Sequence, residues 1–122
     1  TISKRAISSK LTKLRKLRVP DRRSSRGFVG VVRAELHFPT GSSLKEKRMH
    51  LRSIRARLTR SFGASVAEVG YQDLWQRSDL LCAIAASDLG VLERQLDAAE
   101  AYLRGQEWDV VSAAREVYEV DA

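Results

Sequence analysis

The sequence is short of cysteine, of long apolar runs and, over its first quarter, of acids. Cys82 has no second cysteine to pair with, which excludes an internal disulfide and any zinc or iron–sulfur site built from several thiolates. A lone thiol fits a reducing compartment, so a cytoplasmic location is expected. No apolar stretch approaches the ~18 residues that a membrane-spanning helix needs. What is present is ordinary for a folded domain: 122 residues, 43% hydrophobic and 30% charged. That balance excludes wholesale disorder and is about the length of one domain.

The missing acids make the charge uneven. Residues 1–27 hold ten basic side chains against Asp21 alone, whereas residues 28–122 hold 12 basic and 14 acidic ones. The formal net charge of +7 therefore divides into +9 on the first segment and −2 on the remainder. Such a block reads as a polyanion-binding or simply solvated extension. Ile7, Leu11, Leu14 and Leu17 recur at helical spacing, so 1–27 is expected to be flexible or partly helical, ended by Pro20. Within the domain the charge is divided again. Residues 44–61 carry seven basic residues and Glu46, a net +6, which leaves −8 on the rest.

From Phe28 to Phe38 the residues alternate: Val32, Ala34, Leu36 and Phe38 on one face, Val31, Arg33, Glu35 and His37 on the other. That is a strand with one face covered. Ser43-Leu-Lys-Glu46 is a capping box, and Leu44, Leu51, Ile54, Leu58 and Phe62 form the apolar stripe of a helix that Gly63 stops. Strands are expected over 64–71 and 77–87, the latter nearly continuous in apolar residues and therefore central. A second helix over 88–104 carries Leu89, Leu92, Leu96, Ala99 and Leu103 on one stripe, with Asp88 as N-cap and Gly105 as stop. A last strand covers 108–120. The order β-α-β-β-α-β defines an α+β, ferredoxin-like two-layer sandwich. It has a four-stranded antiparallel sheet, both helices on one face, and strands one and three in the centre.

Two constellations carry the chemistry. The first is the start of the first helix, where Ser43 and the following amides meet Lys45, Lys47 and Arg48, a setting suited to a phosphate. Lys45, Arg48, Arg52 and Arg55, spaced three, four and three apart, form one ridge able to track a phosphate backbone. The bland alternative is a capped helix with a solvated face, though such faces usually interleave both signs. The stretch from Gly41 to Lys45 lacks the spacing of a P-loop. The second constellation is Glu68, Gln72, Asp73, Trp75 and Arg77 around the hairpin tip. Glu68 and Asp73 are candidate paired carboxylates. A structural or partner-contact role is favoured over catalysis, with ion pairs to Arg77, Arg33 or the basic helix and Trp75 either as a partner anchor or as cover for a hydrophobic edge.

Other options fall away. His37 and His50 have no neighbouring base–nucleophile pattern, and Cys82 lies in an apolar strand as a small hydrophobe. Strand 77–87 has no aromatic residue, which speaks against RNA-recognition-motif stacking on the central strands. No Cys-x-x-Cys loop exists for a metal, and no cofactor loop is recognisable, so neither a metal nor a cofactor is expected.

The strings Phe28-Val-Gly-Val-Val-Arg-Ala-Glu-Leu36, Ser43-Leu-Lys-Glu-Lys-Arg48, Ser65-Val-Ala-Glu-Val69 and Gln72-Asp-Leu-Trp-Gln-Arg77 closely resemble the YlxP-like family of small bacterial proteins. The resemblance covers residues 28–120, so 1–27 is read as an extension before the domain. It implies a ferredoxin-like fold, an unassigned function and no catalytic residue set. It also implies a gene setting among transcription and translation factors, beside a ribosome-binding factor. The expectation is a non-enzymatic accessory factor that contacts RNA or a ribosomal subunit through phosphates. The alternative is a protein–protein module that pairs with itself, without nucleic acid.

Overall fold

The computed structural model describes residues 26–121. The expected helix or flexible arm of 1–27 lies outside the described residues, apart from Arg26 and Gly27. The elements are β1 (Arg26–His37), α1 (Leu44–Phe62), β2 (Ser65–Gly70), β3 (Arg77–Ala86), α2 (Leu89–Arg104) and β4 (Asp109–Asp121). The sheet runs β2-β3-β1-β4 and every pairing is antiparallel. This is the expected ferredoxin-like arrangement, with β1 and β3 central.

Local chemistry sets the ends. Ser43 Oγ accepts from the Glu46 amide at 3.1 Å, and the Gly63 amide reaches back to the last turn of α1 at φ 63°. Only half of the capping box forms, because the Glu46 carboxylate accepts from Ser42 Oγ at 3.0 Å. Asp88 caps α2 by accepting from the Val91 amide at 2.8 Å. Gly105 ends that helix at φ −91°, an ordinary conformation. β1 starts two residues earlier than its alternation suggests, since Arg26 and Gly27 find partners in Asp121 and Val120. β2 ends at Gly70, one residue earlier than expected, because Tyr71 turns out of the strand at φ 60°.

The core lies between the sheet and the helices. Val32, Ala34, Leu36, Leu80, Cys82 and Ile84 face Ile54, Leu58, Leu92, Leu96, Ala99 and Leu103, all buried. Each fully buried Leu or Ile contributes roughly 1.5–3 kcal/mol. Helix α2 sits so close to β1 that a Cβ on Gly30 would lie 2.6 Å from Leu96 Cδ1, so a side chain at position 30 would have to displace the Leu96 methyls. The thiol of Cys82, a small core hydrophobe as expected, has its pKa pushed up to about 11 by burial.

Candidate functional site

β1 ends, α1 begins and the β2–β3 connection turns at one end of the sheet. The Phe38 amide donates to Gln76 O at 2.8 Å, and the Gly41 amide to Phe38 O at 3.1 Å. A Cβ on Gly41 would stand 3.2 Å from Trp75 O. The loop that launches α1 therefore lies directly against the loop 71–76.

Lys47 joins the two. Its side chain is 1% exposed, and its Nζ donates to Glu68 Oε2 at 2.8 Å, Tyr71 O at 2.8 Å and Arg77 O at 3.1 Å, with Gln72 O further off at 3.4 Å. Ser78, also buried, donates to the same Glu68 oxygen at 2.7 Å. An ammonium group has three protons, and here the fold supplies acceptors for all of them. The expectation that Lys47 offers its charge to a phosphate is corrected: that charge is spent inside the protein. A buried ammonium is tolerable only with such partners, because desolvation costs several kcal/mol. The sequence held a signal for this. Residues 44, 47, 51, 54 and 58 keep the three-four spacing of the apolar stripe, which puts Lys47 on the buried face.

The other ridge residues behave differently. Lys45, Arg48, Arg52 and Arg55 are exposed, and none pairs with a carboxylate among the described residues. Arg57 is drawn aside: its guanidinium lies 5.0 Å from the Tyr102 ring centre and donates to Ser61. Burial pushes the Tyr102 pKa up, against the opposing pull of Arg57 and Arg60.

Of the second constellation, Glu68 is held by Lys47 and Ser78, which leaves it unsuited to proton transfer. Arg77 pairs with Glu35 across the sheet, and Arg33 forks onto Asp79 at 2.9–3.2 Å, a contact that raises the Arg33 pKa. These pairs lie on the uncovered sheet face, where β1 and β3 present no Phe, Tyr or Trp. Gln72, Asp73 and Trp75 are exposed at the tip, Trp75 by 40%. Tyr71, missed by the sequence reading, stands beside them at 42% exposure. Its carbonyl accepts from both Lys47 Nζ and the Leu74 amide, which fixes its left-handed backbone.

The histidines have structural surroundings. His50 stacks on Phe38 with ring centres 5.3 Å apart and faces Glu107 at 3.5 Å, and His37 faces Asp109 at 3.5 Å. A polar cleft of about 390 Å³ between α2 and β4 is lined by Asp97, Glu100, Arg104, Ala113 and Arg115. Its Arg115 is already bound to Asp97 at 2.9 Å and Glu100 at 3.0 Å. Among the described residues no group of three or more His, Cys, Asp and Glu side chains is placed to hold a metal ion. No helix there is long and apolar enough to cross a membrane.

A ferredoxin-like domain in which a buried lysine ties the first helix to the β2–β3 loop is the class of protein that fold and site define. The chain belongs to the family described as a protein of unknown function (DUF503), whose model matches residues 29–115. It is 35% identical over 76 residues to the uncharacterized protein YlxP of Bacillus subtilis (strain 168), covering 62% of this chain and 83% of that relative. Three of the strings that carry the resemblance to that family, Ser43–Arg48, Ser65–Val69 and Gln72–Arg77, meet at Lys47.

Proposed function

We propose that this protein is a non-enzymatic accessory factor that binds RNA through phosphate contacts, a ribosomal subunit being the expected partner. One observation carries the reading: Lys45, Arg48, Arg52 and Arg55 are exposed on one side of α1 without a carboxylate partner among the described residues. A charged ridge left unpaired inside its own protein is available to an external polyanion. Phosphate contacts of this kind position a partner and carry no base readout.

Affinity for RNA measured against salt tests it. Four phosphate contacts on a single strand predict a log–log slope of about −3. Replacing Lys45, Arg48 and Arg52 with Glu is expected to abolish most binding. A flat salt dependence, or unchanged affinity in that variant, overturns the proposal. Co-sedimentation with ribosomal subunits then tests the particular partner.

Self-association through the uncovered sheet face is the second reading. Its support is the half-buried strip Val31, Leu81 and Ala83, which no helix covers. Light scattering that finds a monomer at every concentration and salt overturns it.

A further inference from the structure

Exposed apolar surface is concentrated where β2 leads into the β2–β3 loop. Of the eight large hydrophobic residues that are exposed among those described, four (Val69, Tyr71, Leu74 and Trp75) fall within residues 69–75. Neither the Tyr71 nor the Trp75 ring contacts another ring or a guanidinium among the described residues, whereas Phe38, Tyr102 and Trp108 are all engaged. Their loop is not loose. Lys47 holds two of its carbonyls, those of Tyr71 and Gln72, and Gln76 O accepts from the Phe38 amide. The Trp75 backbone packs on Gly41, four residues before Lys45, the first cation of the ridge. A loop that carries two exposed rings and packs its backbone against the start of the ridge helix offers two chemistries at one end of the sheet, one for π-faces and one for phosphates.

We propose that the loop 71–76 is a stacking platform for unpaired bases, so that the partner is single-stranded RNA rather than a duplex. Tyr71 and Trp75 take the bases, while Lys45 and Arg48 hold the adjoining phosphates. A duplex has its base faces occupied by one another and offers the rings nothing but its ends. The uncovered sheet face, where ferredoxin-like RNA binders often carry their rings, has none on β1 or β3, and the loop supplies them in its place. This inference rests on the phosphate-binding reading above and adds the class of RNA to it.

The test uses the full chain, fluorescence anisotropy with a short oligouridylate and with a blunt RNA duplex, and salt titrations of both. Trp75→Ala is expected to weaken the single strand about ten-fold with little change in salt slope, and to leave the duplex within two-fold. Trp75→Phe is expected to keep most of the affinity. Trp108, buried in the core, reports on folding in each variant through its own fluorescence. Equal loss on both RNAs, or no loss on either, overturns the inference. A Trp75→Ala effect confined to self-association overturns it as well and makes the loop a protein contact. If Arg48→Gln lowers the salt slope while Trp75→Ala changes nothing, the platform fails and the ridge survives. If the wild-type chain binds neither RNA, both fall.

Discussion

The two helices lie on the same face of one sheet, and the charges along one side of each are used differently. On α2, Asp97 and Glu100 close onto Arg115 of β4, so acids and base are consumed within the fold. On α1, Lys45, Arg48, Arg52 and Arg55 stay exposed with no acid among the described residues. The contrast recurs inside α1 itself. Lys47 is buried and saturated, whereas Arg48, the next residue, is exposed. Sequence composition treats the two alike; the helical position separates a clamp from a contact.

Lys47→Met removes the ammonium from Glu68 and from the loop carbonyls, and is expected to destabilise the fold by about 3 kcal/mol or more in denaturant unfolding. Arg48→Met on the same helix is expected to fall within about 0.5 kcal/mol. Equal effects at the two positions would erase the distinction between them. Arg115→Met leaves Asp97 and Glu100 without their cation and is expected to cost about 1 kcal/mol, with RNA affinity unchanged. A loss of RNA affinity in that variant would mean that α2 shares the binding surface. Single Gln substitutions at Arg52 or Arg55 are expected to leave stability unchanged and to reduce the salt slope by about 0.7 each.

A further effect depends on pH and concerns the core shared by both helices. The Cys82 thiol titrates at about 11 when folded, above its ordinary 9.0. The folded state thus holds its proton where the unfolded chain has lost it. The stability this gives is complete below pH 9 and declines as pH rises towards 11. Unfolding of wild type and Cys82→Ala across that range checks it: the variant should lack this part of the decline.

The fold was legible because its signals are local. Ser43 and Gly63 bracket α1, Asp88 starts α2, and the alternation from Val32 to Phe38 declares the covered face of β1. None of these needs knowledge of a distant residue. Lys47 was misread because its partners Glu68, Tyr71 and Arg77 lie 21 to 30 residues away. Lysine is also the residue most safely assigned to solvent. Its place on the apolar stripe was the available clue. Tyr71 was invisible for another reason: a left-handed backbone at a non-glycine residue is imposed by tertiary contacts and leaves no mark in the pattern.

That backbone at Tyr71 has a consequence for anyone improving this domain. A tyrosine held at φ 60° carries a conformational cost of about 1 kcal/mol, which asparagine or glycine largely avoids. Tyr71→Asn is therefore the substitution that a thermostability screen should enrich first. The same change deletes one ring of the proposed stacking platform. On the proposed RNA-binding reading, selection for melting temperature alone would produce a sturdier domain with a weaker hold on the single strand, a trade between robustness and activity set by one dihedral angle.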